Sequence, residues 1–370
     1  MNIVMIGHKY VPSREGGIEV VVDNLSSRLA LKGHNVVLFN RKRKKYGKTD
    51  EYKGCKIEEI FTINKKSLDA VIYSYFATKK VKRMIKQGKV DVVHYHAEGP
   101  CLFLKMLSKL KKKYKFNIVV TIHGLDWQRG KWGGFASKMI KKGEENAVKY
   151  ADRIIVLSKN VQNYFKDTYN RETDYIPNGV DVPEIQEADI INKKYGLTKN
   201  SYILFLARIV PEKGLHYLLK AWKDLNKELT HNFKLVVAGN DFHNGEYYQE
   251  MLEEIRKDDS IIATGFTEGR ELQELYSNAF LYVLPSDVEG MPMRLLEALS
   301  YGNQCLVSDI PENMEVIPSS AFCFKKGDSI DLKDNLKKII IDGDCIRNHF
   351  VPFSWDATIA ATLNLYRGEE

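Results

Sequence analysis

Short apolar segments alternate with helical patterns along this chain, in two consecutive series. The first series opens with NIVMIG at residues 2–7, and the second opens with YILFLA at residues 202–207. Apolar strands that alternate with helices are typical of parallel sheets covered by helices. The sequence therefore predicts an α/β fold with two parallel-sheet units. The segments of the first series are 2–7, 35–39, 90–96, 117–123 and 153–158, and those of the second are 202–207, 234–239, 260–265, 281–286 and 304–309.

A linker is predicted between the two series. The chain has 370 residues, which suggests about two domains of ordinary size. The segment YIPNGVDVPE at 175–184 contains prolines and Asn-Gly, which are turn signals. We place the boundary close to Asn178, with a first domain over 1–177 and a second over 178–350. Two such units are expected to leave a cleft, and open parallel sheets bind ligands at the carboxyl ends of their strands.

Lysine and arginine are concentrated in the first domain. Residues 1–177 carry 36 Lys and Arg against 17 Asp and Glu, a net charge of +19, whereas the remaining residues carry 20 against 31, a net charge of −11. The first domain is therefore expected to meet an anionic surface, either an acidic bilayer or nucleic acid. A solvated face is the third interpretation. The basic runs are RKRKKYGK (41–48), KKVKRMIKQGK (79–89) and KMLSKLKKKYK (105–115), and they lack interleaved aromatic residues at a recognisable spacing, which argues against nucleic acid.

The cysteines and the hydropathy indicate a cytoplasmic protein. Five cysteines are scattered without a C-x-x-C arrangement, which favours free thiols in a reducing compartment. No apolar run approaches the roughly 20 residues of a membrane span. The first residues already form a strand pattern, so no signal peptide is expected.

Two glycines lie where the first strand pattern gives way to a helix. Gly16 and Gly17 precede a helical pattern over 18–31. Glycines let a phosphate approach the backbone N–H groups, and the helix dipole favours an anion there. The G-x-G-x-x-G fingerprint of dinucleotide-binding proteins is absent. The glycine pair is thus a candidate phosphate contact, and a simple tight turn is the alternative.

Two cations follow the first strand of the second series. Arg208 leaves the end of that strand, and Lys213 precedes Gly214 at a predicted helix start. An arginine fork and a lysine point charge at this place suit a diphosphate. Surface salt bridging is the alternative interpretation.

Three histidines lie near strand ends of the first series. His94 and His96 share one face of a strand because side chains alternate, and His123 ends the next strand. Three histidines are compatible with a zinc site. Because no carboxylate joins them at ligand spacing, hydrogen bonding to sugar or phosphate is favoured, and no metal is expected.

Two carboxylates follow the segment LYVLPS. Glu289 lies in a loop beside Gly290, and Glu297 lies in the helical pattern that follows, after seven intervening residues. Carboxylates accept hydrogen bonds from hydroxyls, and the helix start between them suits an anion. A nucleotide sugar has hydroxyls on either side of a diphosphate. Paired acids also serve glycoside hydrolysis, but hydrolases do not need a phosphate cradle beside the acids.

These segments together resemble a known family. EGMPMRLLEA resembles the E-x7-E motif of retaining GT-B glycosyltransferases of family 4, and ARIVPEKG resembles the family's R-x4-K diphosphate motif. REGGIE resembles its glycine loop, IPNGVD its interdomain segment, and FSWDATIAATLNLYRG its closing helix. The resemblance implies two Rossmann-like domains facing across a cleft, with a C-terminal helix over 351–370 that crosses back to the first domain. HGLDWQRGKW, SYGN and SDIPEN are most similar to a bacterial polysaccharide subgroup that includes rhamnosyltransferases.

The resemblance implies four catalytic residues. Glu289 would orient the donor sugar, and His123 would lie near the reacting carbon. Arg208 and Lys213 would hold the diphosphate and stabilise the leaving nucleotide.

The resemblance also implies donor and acceptor contacts. Glu297 would bind the ribose hydroxyls, Gly17 would contact the phosphate, and Gly265 with Phe266 would border the base. The full donor set is Gly16, Gly17, Arg208, Lys213, Gly265, Phe266, Glu289, Gly290, Met291, Met293, Arg294, Leu295 and Glu297. The acceptor would meet His96, Asp126 and Arg129.

Two positions depart from the family pattern. Arg294 stands where the family usually has a small or apolar residue, and it is a candidate donor to the phosphate or to a carboxylated sugar. The run GNQCLVS replaces the usual G-x-P-V. This departure puts the conformation of the local turn in doubt, but it does not affect the assignment of the two carboxylates.

The function implied is transfer of a hexose from a UDP-, dTDP- or GDP-sugar, with retention, to a saccharide or lipid-linked acceptor. The setting would be capsule, O-antigen or exopolysaccharide synthesis on the inner face of the cell membrane, without cofactor or metal. A nucleotide-sugar epimerase or a phosphorylase on the same fold is the alternative enzyme, although no pyridoxal phosphate lysine motif stands out. A non-enzymatic polyanion-binding protein is the third possibility.

Overall fold

The chain forms two compact units. The computed structural model describes residues 1–13, 16–43, 47, 49–63, 65, 68–128, 134–241, 245–345 and 347–369. The first unit comprises Met1–Gly179 and Trp355–Glu370, and the second comprises Val180–Ser354. The last stretch of the chain therefore belongs to the first unit.

Eight strands form the sheet of the first unit. They are β1 (Asn2–Ile6), β2 (Asn35–Arg41), β3 (Glu51–Tyr52), β4 (Cys55–Ile60), β5 (Val92–His96), β6 (Asn117–Ile122), β7 (Arg153–Val156) and β8 (Asp174–Tyr175). Their order is β3-β4-β2-β1-β5-β6-β7-β8, and all neighbours in this described sheet pair in parallel except β3 with β4.

Helices connect these strands. They are α1 (Gly17–Leu31), α2 (Leu68–Lys86), α3 (Lys105–Ser108), α4 (Gly134–Tyr150) and α5 (Lys159–Tyr169), with short 3₁₀ turns at Gly99–Phe103 and Asp126–Gln128. No helix in the described part of the chain is long and apolar enough to cross a membrane.

The second unit has a six-stranded parallel sheet. Its strands are β9 (Tyr202–Leu206), β10 (Lys234–Ala238), β11 (Ile261–Gly265), β12 (Leu281–Leu284), β13 (Cys305–Ser308) and β14 (Phe322–Phe324), in the order β11-β10-β9-β12-β13-β14. Its helices are α6 (Ile190–Tyr195), α7 (Leu215–Glu228), α8 (Glu246–Ile255), α9 (Gly269–Asn278), α10 (Met293–Ser300), α11 (Pro311–Met314) and α12 (Ser329–Asp342), with a 3₁₀ turn at Pro211–Lys213. The predicted α/β class is confirmed, and each of the ten apolar segments contains a strand.

The last helix, α13 (Trp355–Arg367), packs into the first unit. Its Tyr366 hydroxyl lies 2.6 Å from Nδ1 of His94 on β5, and its Trp355 ring lies under the guanidinium of Arg28 at 5.3 Å. Both Trp355 and Tyr366 are buried. Burying such large aromatic surfaces is a substantial stabilising contribution, so α13 completes the core of the first unit.

Each sheet has a point at which the order of its strands reverses. In the first unit β1 lies between β2 and β5, and in the second unit β9 lies between β10 and β12. At such a switch point the loops from neighbouring carboxyl ends run in opposite directions and leave room for a ligand. The loops that carry Gly16, Arg208 and Glu289 follow three of these strands, β1, β9 and β12 respectively.

Candidate functional site

The loops after β9 and β12 are held together by close backbone packing. Gly214 follows the 3₁₀ turn with φ of 69°, and an added Cβ would lie 1.9 Å from the carbonyl oxygen of Pro285. A side chain is therefore excluded there by both conformation and space. The backbone N–H of Asp287 also donates to the carbonyl of Glu212 at 2.9 Å. The sequence Glu-Lys-Gly thus brings the Lys213 loop against the loop that carries Glu289.

Lys213 and Glu289 form an ion pair in this loop pair. The Lys213 ammonium donates to Oε1 of Glu289, and the Ser286 hydroxyl donates to the same oxygen at 2.8 Å. The Glu289 side chain is only 6% exposed and that of Lys213 16% exposed. Ser286 is positioned in turn by the Ser308 hydroxyl, which donates to its carbonyl at 2.6 Å. A buried carboxylate is therefore held on one oxygen by a cation and a hydroxyl.

Glu297 is held in a similar manner on α10. The apolar face of this helix is buried, and Glu297 lies on its half-buried side. Its Oε2 accepts from Nη1 of Arg294 at 2.7 Å and from the hydroxyl of Tyr276 at 3.0 Å. The described side-chain hydrogen bond of Arg294 thus goes to Glu297, and its contact with phosphate or a carboxylated sugar stays a prediction.

Arg208 differs from the other cations of the second unit. Its side chain is half-buried just beyond β9, and no residue of the described ranges pairs with its guanidinium. A partly desolvated guanidinium is costly without an acceptor. The position therefore suits an anionic ligand.

The remaining donor candidates of the second unit lie at the ends of β11 and at the start of α10. Gly265 ends β11 with φ of 72° and accepts from the N–H of Gly239 at 2.8 Å, and Phe266 beside it is 39% exposed. Gly290, Met291 and Leu295 are buried, and Leu295 is fully so.

The start of α10 offers fewer backbone donors than a helix start in isolation. The N–H of Met293 donates to the carbonyl of Met291, and the N–H of Leu295 donates to the carbonyl of Pro292, both at 2.9 Å. Both N–H groups are already satisfied within the loop. Any ligand contact of Met293 or Leu295 therefore needs another group.

In the first unit, Gly16 and Gly17 lie at the start of α1. An added Cβ on Gly16 would lie 2.3 Å from Oε2 of Glu19, whose Oε1 accepts the N–H of Lys9 at 2.9 Å. Gly17 has no atom within 4 Å of the place of a Cβ. Glu19 thus fixes the loop after β1, which accounts for Gly16, whereas space alone does not account for Gly17.

The three histidines form a buried row. Both ring nitrogens of His94 are engaged, Nε2 with the hydroxyl of Thr121 at 2.7 Å and Nδ1 with that of Tyr366 at 2.6 Å. Nδ1 of His96 lies 3.1 Å from Nε2 of His123. Burial, with the neighbouring His123, lowers the pKa of His94 to about 3. Burial and the neighbouring histidines also hold the pKa of His96 well below its usual value.

These contacts argue against the zinc interpretation. His94 has no lone pair to spare for a metal, since both nitrogens already have partners. No group of three or more His, Cys, Asp or Glu in the described ranges is placed to hold a metal ion. The buried pair His96–His123 remains for hydrogen bonding, and the lowered pKa keeps His96 neutral.

Asp126 has a buried neighbour that sequence reasoning missed. The backbone N–H of Asp126 donates to Oε1 of Glu98 at 3.1 Å, and Glu98 is fully buried. Burial and the nearby Asp126 raise the pKa of Glu98 well above its usual value. Its place directly after β5 was the available signal. Arg129, the third acceptor candidate, lies outside the described residues.

Two family models match the chain. One, described as Glycosyl transferases group 1, matches residues 187–351. The other, described as Glycosyltransferase Family 4, matches residues 15–184. Together they take in nearly the whole chain, one for each unit. The chain is a glycosyltransferase of the family 4 type.

Relatives and solved structures agree with this assignment. The glycosyltransferase is 25% identical to an uncharacterized glycosyltransferase of Methanocaldococcus jannaschii, over 99% of this chain and 98% of the relative. It is 28% identical to UDP-Gal:alpha-D-GlcNAc-diphosphoundecaprenol alpha-1,3-galactosyltransferase of Escherichia coli, over 62% of this chain and 61% of that one. Sucrose-phosphate synthase of Thermosynechococcus elongatus matches the structure with a TM-score of 0.80 at 18% identity, over 99% of this chain and 98% of that one. This likeness shows the GT-B fold.

Proposed function

We propose that this glycosyltransferase moves a hexose from a nucleoside-diphosphate sugar to a saccharide on a lipid-linked acceptor, with retention of anomeric configuration. The observation that carries the proposal is the cation cluster of the second unit. Arg208 and Lys213 follow β9, and Glu289 follows the neighbouring strand β12. The guanidinium of Arg208 has no partner in the described ranges, whereas Lys213 pairs with Glu289. The Escherichia coli relative is a UDP-sugar enzyme with a diphosphoundecaprenol-linked acceptor, and this similarity supports the substrate classes.

The donor is recognised by chemically matched groups. Arg208 and Lys213 bind the diphosphate. Glu289 orients the sugar through its hydroxyls, since carboxylates are strong acceptors. The list of further contacts is Glu297 for the ribose, Gly265 and Phe266 beside the base, and Gly290, Met291, Met293, Arg294 and Leu295 around the start of α10.

The chemical step develops charge at two places. The sugar becomes oxocarbenium-like as its bond to the phosphate lengthens, and negative charge grows on the departing nucleotide. Arg208 and Lys213 stabilise that charge where it develops, which makes them more effective in the transition state than in the ground state. A departing phosphate oxygen takes the acceptor's proton on the same face, so the configuration is retained. Metal is not required because the two cations serve the phosphate.

The acceptor is bound by the first unit. His96 and Asp126, with Arg129, hydrogen-bond the acceptor saccharide. A neutral His96 suits this role, because it offers a donor or an acceptor to a hydroxyl at physiological pH. The cellular role proposed is cell-surface polysaccharide synthesis, with rhamnosyl transfer as one specific form.

A donor panel tests the enzymatic proposal. We expect thermal stabilisation by one of the UDP-, GDP- or dTDP-sugars, and hydrolysis or transfer with that donor. NMR of the product should show the donor's anomeric configuration, and EDTA should leave the rate unchanged. Isomerised donor in the absence of acceptor would instead identify an epimerase. An inverted product would overturn the retaining mechanism.

We also propose that α2 and its surroundings dock on an acidic membrane. Phe61, Tyr75 and Phe76 are 54%, 37% and 37% exposed, and their rings meet edge to face at 5.3 Å. Beside them lies a groove of about 920 Å³ with cations at its rim. The cations are Lys56, Lys79, Lys80, Arg83 and Lys89, of which Lys56 and Lys80 pair with Glu58. Exposed aromatic rings next to cations suit the interface of an anionic bilayer.

Vesicle flotation tests the membrane proposal. Each lysine or arginine near an acidic surface contributes about 1 kcal/mol, so Lys79→Gln/Arg83→Gln should weaken binding to anionic vesicles by at least tenfold. Lys223→Gln/Lys338→Gln, which removes two exposed charges from the second unit, is the matched control and should change little. Equal binding to neutral vesicles, or an equal loss in the control, would contradict the proposal.

A further inference from the structure

The two donors to Glu297 converge on one of its oxygens. Nη1 of Arg294 and the hydroxyl of Tyr276 both reach Oε2, at 2.7 and 3.0 Å. In the described ranges no residue donates to Oε1, and a quarter of the Glu297 side chain is exposed. A carboxylate oxygen accepts two hydrogen bonds. Glu297 is thus saturated on one side and has capacity on the other.

Both donors are themselves fixed. Tyr276 is buried on α9, and its ring stacks on that of Tyr301 with centroids 5.1 Å apart. Asn303 donates to the Tyr276 carbonyl at 3.0 Å. Burial and Glu297 raise the pKa of Tyr276 well above its usual value, so the hydroxyl keeps its proton. It therefore acts as a donor at any physiological pH.

Arg294 remains charged for a related reason. Burial disfavours its charge, but Glu297 outweighs this effect and the pKa of Arg294 is raised. Arg294 precedes Glu297 by three residues on α10, which places the two side chains on one face of the helix. An apolar residue at this position would leave Glu297 able to rotate and to use either oxygen. Holding a glutamate in one rotamer before binding avoids the entropy cost of ordering its side chain on binding.

We propose that Arg294 and Tyr276 are positioning residues that hold Glu297 with Oε1 available to the 2′- and 3′-hydroxyls of a donor ribose. The consequence is selectivity for ribonucleotide donors over 2′-deoxyribonucleotide donors, which narrows the candidates to UDP- and GDP-sugars. This inference rests on the proposed function, since it assumes a nucleotide donor in the second unit. It goes further because it assigns the preference for ribose over 2′-deoxyribose in the donor nucleotide to Arg294, a residue that departs from the family pattern.

The test is the ratio of affinities for a ribonucleotide and its 2′-deoxy analogue. Calorimetry with UDP against 2′-deoxy-UDP, and with GDP against 2′-deoxy-GDP, gives this ratio for the wild type and for variants. We expect the wild type to favour the ribonucleotide by about tenfold or more, as hydrogen bonds to charged groups are strong. Arg294→Leu should reduce the preference several-fold, Tyr276→Phe should reduce it less, and Glu297→Gln should reduce it most.

Controls separate positioning from general damage. Arg256→Leu removes an exposed arginine just after α8 and should keep the wild-type ratio. If Arg294→Leu fails to fold, Tyr276→Phe gives the same test with the loss of one oxygen atom only. In transfer assays, Arg294→Leu should raise the donor KM while leaving kcat within a few-fold, because the ribose is remote from the reacting carbon.

Three results would overturn the inference. Equal affinity of the wild type for UDP or GDP and for their 2′-deoxy analogues would show that Glu297 does not recognise the ribose 2′- and 3′-hydroxyls. An Arg294→Leu variant with full preference would remove the positioning role and leave the proposed function intact. A wild type that binds no nucleoside diphosphate at all would overturn the proposed function, and this inference with it.

Discussion

Replacing Lys213 by alanine is expected to lower kcat for sugar transfer by about 10²- to 10³-fold. A fixed cation that stabilises charge on a leaving group acts mainly in the transition state, and the loss of one such group typically has this magnitude. Lys213 also holds Glu289, whose side chain is 6% exposed, so the substitution leaves a buried carboxylate without its cation. The measurement is the initial rate of transfer at saturating donor, with thermal unfolding followed in parallel.

Two variants separate the lost cation from the disturbed carboxylate. Lys213→Ala/Glu289→Gln removes the unpaired charge and should recover thermal stability but not activity. Lys223→Ala, at an exposed position on α7 of the same unit, should behave as the wild type. Activity within a few-fold of the wild type in Lys213→Ala would show that the assignment of Lys213 is wrong.

Replacing Arg208 by alanine is expected to reduce transfer by a similar factor without lowering stability. In the described ranges no residue pairs with the Arg208 guanidinium, so the folded protein loses no hydrogen bond or ion pair of this group. A guanidinium bound to a diphosphate makes strong, charge-assisted hydrogen bonds that are lost with the side chain. We therefore expect an unchanged Tm without ligand, and a smaller rise of Tm on addition of the donor nucleotide.

The control for this variant is Arg256→Ala, an exposed arginine in the same unit. It should keep both the activity and the nucleotide-induced rise of Tm. An Arg208→Ala protein that is destabilised without ligand would show that Arg208 has a structural role. An Arg208→Ala protein that transfers sugar normally would remove it from the diphosphate site.

The fold was largely predictable because it depends on local patterns. Strands such as Tyr202–Leu206 are apolar throughout and buried on both faces, which is typical of central strands of parallel sheets. The strands Glu51–Tyr52, Cys55–Ile60, Asp174–Tyr175 and Phe322–Phe324 were missed. Three of them have two or three residues each, too few to show a period. Cys55–Ile60 has six residues, CKIEEI, but half of them are charged, so it is not an apolar segment.

The candidate site was predictable where its residues follow strand ends in sequence. Arg208, Lys213 and Glu289 come from loops that parallel topology places at one edge of a sheet. Tyr276 was not predictable in this way, because it lies inside α9 and not after a strand end, and its partner Glu297 lies on another helix. Such pairings are set by how helices and loops pack, which no local spacing reveals.

Arg294 has a contact that the sequence analysis left out. The sequence suggested a ligand contact because the residue departs from the family pattern. Its spacing of three from Glu297 on a helix was an available signal for an intrahelical ion pair. The side chain of a charged residue on a helix therefore pairs readily with an opposite charge three or four residues away, even beside a ligand site.

The contact between Gly214 and the carbonyl of Pro285 has a consequence for how the enzyme can evolve. Main-chain atoms, not side chains, fix the spacing of the loops that carry Lys213 and Glu289. That spacing is then the same whichever donor the enzyme uses, because no side-chain exchange elsewhere alters it. Changes of donor preference in this lineage should accumulate at other positions near the site, such as 294. Gly214, which lets the two loops approach, should stay constant.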